Sequence, residues 1–165
     1  MKKTLLLTFI IIMLIASVLL SSCVSAPPHL TYPETDARYE GTLTVRSNES
    51  RFGVSLELSE QGSVMTMTFD SPEEMRAYTY VRDGDGIRLI TDGLEMPASA
   101  DGTAARLFAM FDNRDPDIAD FLPDKVDGVK IVKVIFTDGS SATVRASDGM
   151  PVMLESEYLI FEISG

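Results

Sequence analysis

From Tyr39 onward the chain is built of short alternating runs broken by tight-turn pairs, a pattern that restricts it to an antiparallel sheet. Phe52, Val54, Leu56 and Leu58 alternate with Gly53, Ser55 and Glu57, the period-two signature of a strand with one buried face. After Gln61-Gly62 the pattern repeats in Met65, Met67 and Phe69. Further strands are predicted at Thr42–Arg46, Ala77–Arg82, Ile87–Thr91, Val129–Thr137, Ser141–Ala146, Pro151–Glu155 and Tyr158–Ile163. Asp83-Gly84-Asp85-Gly86, Asp138-Gly139 and Asp148-Gly149 mark the turns between them, because Asp-Gly pairs tolerate positive φ. Ser71-Pro72-Glu73-Glu74 reads as a helix start with Ser71 as cap, opening one turn that ends near Arg76.

The middle of the chain changes period. Ala104, Leu107, Phe108 and Phe111 recur at helical spacing, so a helix of about ten residues is predicted over Asp101–Phe111. Pro116, capped by Asp115, is expected to start a second short helix carrying Ile118, Phe121 and Leu122 to a stop at Pro123. About nine or ten strands in one sheet accumulate enough twist to curl. The expected fold is therefore mainly β with short helices: a single curved antiparallel sheet, an incomplete barrel, with two short helices on its concave side.

The first 38 residues have another character. Lys2 and Lys3 precede an uncharged apolar run from Leu5 to Leu20, followed by Ser21, Ser22 and Cys23, the layout of a secretory signal. About 20 apolar residues are needed to cross a bilayer, and this run of roughly 16 is marginal for an uncleaved anchor. Leu20-Ser21-Ser22-Cys23 resembles the lipobox of bacterial lipoproteins. That resemblance implies cleavage before Cys23, diacylglycerol on its thiol with or without an N-acyl group, and no other cofactor. The organisation expected is a signal peptide over 1–22, a lipidated tether over 23–38 with Pro27, Pro28 and Pro33, and one domain over 39–165. Removing the first 22 residues, Lys2 and Lys3 among them, leaves 143 of 165 and moves the net charge from −11 to −13. Two acyl chains give stable anchoring. The expected location is extracytoplasmic, on the cell membrane or on an outer membrane where one exists.

Met67-Thr68-Phe69-Asp70-Ser71-Pro72-Glu73-Glu74-Met75, with Tyr78-Thr79-Tyr80, Asp85-Gly86 and Asp92-Gly93, resembles the lipoprotein-carrier fold of LolA and LolB type. The element order over Tyr39–Gly165 resembles it too. The resemblance implies a half-barrel whose helices cover an apolar cavity for acyl chains. Seven methionines follow Cys23, and Met suits surfaces that accept varied apolar partners. Met65, Met67, Phe69, Leu107, Phe108, Met110 and Phe111 are the candidate groove residues. The same residues could equally fill a solid core.

Chemistry is restricted by what is missing. His29, the lone histidine, lies in the tether, so Ser-His-Asp, Cys-His and His-type zinc sites have no material in the folded part. No GxGxxG, Walker or GxSxG motif occurs. Asp112-Asn113-Arg114-Asp115-Pro116-Asp117 and Asp83-Gly84-Asp85-Gly86 are the calcium candidates, but neither has EF-hand spacing, and no metal is expected. No two carboxylates stand out as a glycosidase pair. After the signal, 25 carboxylates face 12 Lys and Arg, against nucleic acid and anionic headgroups as partners. The expected protein is a monomeric, non-enzymatic lipoprotein. It binds an acyl chain, lipid or lipoprotein in its groove, or alternatively serves as a filled scaffold that docks another exported protein.

Overall fold

Asp92-Gly93 and Asp127-Gly128 both carry positive φ at each residue, 49° and 77° in the first pair and 49° and 84° in the second. This is the hairpin geometry that matches strand twist. It folds two segments back on their neighbours that the sequence pattern did not reveal as strands. The structure, a computed structural model, describes residues 36–112 and 118–164. Eleven strands run β1 Ala37–Val45, β2 Ser50–Ser59, β3 Val64–Ser71, β4 Tyr78–Asp83, β5 Gly86–Thr91, β6 Leu94–Pro97, β7 Ile118–Val126, β8 Val129–Phe136, β9 Ser141–Arg145, β10 Pro151–Glu155 and β11 Leu159–Ile163. One helix, α1 (Thr103–Asp112), lies between β6 and β7. β1 takes up Ala37 and Arg38, two residues ahead of the expected domain start.

All neighbours are antiparallel, in the order β6-β5-β4-β3-β2-β1-β11-β10-β9-β8-β7. The two edges do not pair, so the sheet is open. Two meanders meet in the middle, where β1 and β11 lie side by side from Gly41↔Ile163 to Val45↔Leu159. β6 and β7 sit at opposite edges, so the segment joining them has to cross one face. That crossing carries α1, whose Ala104, Leu107, Phe108 and Phe111 stripe is buried. The inner face supplies the rest of the core: Tyr39, Leu43, Val54, Leu56, Met65, Met67, Phe69, Val134, Val144, Leu154 and Phe161.

The predicted second helix is not present among the described residues. Ile118, Phe121 and Leu122 belong to β7, which pairs with β8 from Ile118↔Phe136 to Val126↔Val129. Asp115 and Pro116, its expected start, lie outside the described residues. Pro123, read as a helix stop, sits within an edge strand, where a missing N–H can be tolerated. The Lys130 carbonyl accepts from Ala146 N–H at 2.9 Å on the β9 side. Its partner Lys125 therefore turns its backbone to the free edge, and Pro123, two residues away, does the same.

Ser71 is also not a cap. The turn that follows is the 3-10 turn Glu73–Met75, entered through Pro72 without a side-chain cap. Ser71 ends β3 and its Oγ accepts from Gly53 N–H at 3.0 Å, at the register shift between Gly53 and Val54. A Cβ on Gly53 would stand 2.7 Å from that oxygen, so a larger residue there would push the Ser71 hydroxyl off its bond to the position 53 N–H.

Candidate functional site

Alternation along β3 and helical spacing along α1 bring the seven groove candidates to the same side of the sheet. Met65, Met67, Phe69, Leu107, Phe108 and Phe111 are all at most 7% exposed and belong to one continuous core. Phe111 stacks obliquely on Tyr39 with ring centroids 5.0 Å apart and edge-on to Phe161 at 6.0 Å. Met110, half-buried, faces the margin between helix and sheet. Two pockets reach these residues, one at each side of α1.

The first lies between α1 and the β9–β10 end of the sheet and has a volume of about 230 Å³. Ala109, Met110, Phe136, Leu154 and Tyr158 form its apolar wall, and Asp138, Ser141 and Glu155 its rim. Arg106 lies 3.5 Å above the Tyr158 ring, a cation–π contact that holds one side of the mouth. Glu155 borders this pocket, with its carboxylate on the outer face, where register sets it beside Ser141 and Ile135. It pairs with Lys133 and with Arg46, the latter at 3.0 Å, and accepts from Ser141 Oγ at 3.2 Å. The Lys133 hydrogen bond, helped by Ser141 and Arg46 and opposed by burial, holds its carboxyl below the usual range.

The second pocket, about 120 Å³, lies at the start of α1 and is lined by Phe52, Met67, Phe69, Met75 and Tyr80, with Thr103 and Ala104. Phe52 meets Phe69 edge-on at 5.7 Å and Phe69 meets Tyr80 at 6.3 Å. Met67 and Phe69 were singled out in the sequence. Phe52, Met75 and Tyr80 join them only through strand pairing, across β2, the turn after β3, and β4.

A third feature lies on the outer face, away from α1. Over β1–β3 that face reads Thr42, Thr44, Ser55, Glu57, Thr66 and Thr68 by cross-strand register. Over β7 and β8 it becomes aliphatic: Leu122, Val126 and Val129 are 50, 51 and 49% exposed, beside Ile131 and Ile135. The signal was visible in Ile131-Val132-Lys133-Val134-Ile135-Phe136, a near-continuous run in place of alternation, as in strands covered on both faces. Among the described residues no cluster of three or more His, Cys, Asp or Glu is placed to hold a metal ion. Asp83 instead caps its own turn, accepting from Asp85 N–H at 2.9 Å, and pairs with Arg88. Asp112–Asp117, the other calcium candidate, falls on residues whose side chains are not described. No helix among the described residues is long and apolar enough to cross a membrane.

No protein-family model matches the chain, and no curated protein matches it. Among solved structures it is similar to an uncharacterized conserved protein from Thermus thermophilus, with a TM-score of 0.47 and 10% identity, over 79% of this chain and 76% of that one.

Proposed function

We infer that the protein is an exported, non-enzymatic binding module, tethered to the membrane by lipid on Cys23, whose domain is a filled scaffold that docks another exported protein. Support comes from β8, which is aliphatic on both faces. Its inner side, Val134 and Phe136, is covered by the core. Its outer side, Val129, Ile131 and Ile135, continues into Leu122 and Val126 on the edge strand and is half open to water. Exposed apolar clusters rimmed by charge mark protein contacts, and cross-strand register sets Lys133, Asp120 and Asp124 on this same face beside Leu122, Ile131 and Ile135. A photo-crosslinker placed at Leu122 or Val129 in the native host should give an adduct of one discrete protein mass. The same probe at Glu57, on the polar part of the outer face, should give none. Equal labelling at all three positions, or lipid adducts alone, would overturn the reading.

An acyl-binding reading has its own support in the pocket beside α1, with Ala109, Met110, Phe136 and Leu154 on its wall. At about 230 Å³ it is smaller than ordinary ligand sites of roughly 300–1,000 Å³, so it suits a chain end or a short chain. Native mass spectrometry of the protein from its own host separates the two: a stoichiometric acyl species favours this reading, a bare mass the scaffold.

A further inference from the structure

We propose that the pocket of Phe52, Phe69, Tyr80, Met67 and Met75 is a binding cage for a quaternary ammonium group. Its three rings are not stacked face to face. Phe52 and Phe69 stand at 73° to each other, and Phe69 and Tyr80 at 68°, so successive rings form walls at steep angles around one space. Aromatic faces attract a cation through their quadrupole, most strongly where water is displaced. The two thioethers add polarisable, adaptable atoms, and Thr103 and Ala104 of α1 complete the lining.

Size and charge select the occupant. The space of about 120 Å³ suits one compact branched group and is too small for an acyl chain or a drug-sized ligand. No side chain lining it is charged, so no resident ammonium or guanidinium occupies the cage. A primary ammonium would find only the Thr103 and Tyr80 hydroxyls among the lining side chains in place of its hydrogen bonds to water, whereas a methylated one has none to lose. Met75 is carried on the turn that also bears the exposed carboxylates Glu73 and Glu74, and the whole chain is acidic, so the approach favours a cation. Phe52, Met75 and Tyr80 are half-buried and form the mouth, while Met67 and Phe69 form the floor.

The full chain, in a maltoside detergent and carrying ¹³C-methyl methionine, tests this by titration with choline and with its neutral isostere 3,3-dimethyl-1-butanol. Choline should shift the Met67 and Met75 methyl resonances, leave Met96 and Met153 in place, and bind about five-fold or more tighter than the isostere. Tyr80→Leu and Phe52→Leu keep apolar volume and should reduce that preference towards one. Glycine betaine and glycerophosphocholine then assign the source, as a free solute or a lipid headgroup, by whichever binds tighter. Equal affinity for choline and the isostere, absence of shifts with either, or a preference that survives in folded Tyr80→Leu would each overturn the cage. The wild-type comparison stands even where a variant fails to fold.

Discussion

Gly41 and Glu162 lie so close that a Cβ at position 41 would stand 2.1 Å from the Glu162 carbonyl oxygen. This contact is in the β1–β11 seam, the one pairing that joins the two meanders into a single sheet. Alanine at 41 would push the strands apart where both halves depend on them. Overpacking of this kind costs typically about 1–3 kcal/mol, and the upper end is expected because the obstacle is backbone. Urea unfolding of Gly41→Ala should show a lower midpoint with an unchanged slope. A midpoint equal to wild type would mean that the seam can open without cost.

Lys133 and Glu155 predict a pH signature. A carboxyl held below its usual range in the folded protein adds stability above its unfolded pKa, about 4.3 for Glu, and loses it as pH falls through the folded value. Lys133→Met keeps the aliphatic stem and removes the hydrogen bond that does most to depress the Glu155 carboxyl. The cost near pH 7 should be about 1 kcal/mol, modest because Lys133 is 40% exposed. It should shrink as pH falls through the folded value and vanish once Glu155 is protonated in both proteins. A loss that persists undiminished in acid would trace to packing and not to the ion pair.

Much of the fold was legible because one-face burial imprints itself on strands. Phe52, Val54, Leu56 and Leu58 announce β2, and the Asp-Gly turns announce the hairpins before β5 and on either side of β9. α1 was legible for the same reason at its own period. β6 and β7 were not, because edge strands bury little: the whole of Leu94–Pro97 is exposed, so alternation has nothing to report. Pro123 then misled, since a proline ends a helix and protects a strand edge by the same missing N–H. The seven groove candidates lie on one side of the sheet, but periodicity cannot tell a filled interior from an open one. Only the pairing of β2, β3 and β4 reveals that Phe52, Phe69 and Tyr80 share a pocket.

Pro123 and Pro97 act alike at the two ends of the sheet. Ala98 N–H donates to the Ile87 carbonyl at 2.8 Å, which turns the neighbouring Pro97 backbone outward, as Pro123 is turned outward on β7. Each edge thus lacks a donor where another strand would add, a known defence against edge pairing. Pro123→Val restores a donor between Phe121 and Lys125. The variant should fold with stability close to wild type yet self-associate over time, measured by light scattering at rising concentration. A variant as monodisperse as wild type would remove the protective role.

Ala105 and Ala109 lie one turn apart on α1 and separate packing from binding. Ala105 is 8% exposed and faces the core, so Ala105→Phe should lower the melting temperature by overpacking. Ala109 is exposed and lines the pocket beside Met110. Ala109→Phe should leave the melting temperature near wild type and fill that space. Any acyl ligand seen by mass spectrometry should then disappear from Ala109→Phe, while crosslinking through Leu122 continues. Loss of both signals together would contradict the separation of the two surfaces.

Tyr39 offers the simplest stability test. Its ring is buried against Phe111, but its hydroxyl has no hydrogen-bond partner among the described residues. Burial without a partner pushes the phenol up to about 12, since ionisation there would leave a charge in an apolar surround. An unsatisfied buried hydroxyl costs about 1–3 kcal/mol in desolvation, and Phe keeps the ring and its contacts. Tyr39→Phe should therefore be at least as stable as wild type, by up to about 1 kcal/mol, in urea unfolding at neutral pH. A destabilised variant would show that the hydroxyl is satisfied in solution, by water or by a group outside the described residues, and that this end of α1 is wetter than the packing of Tyr39 and Phe111 implies.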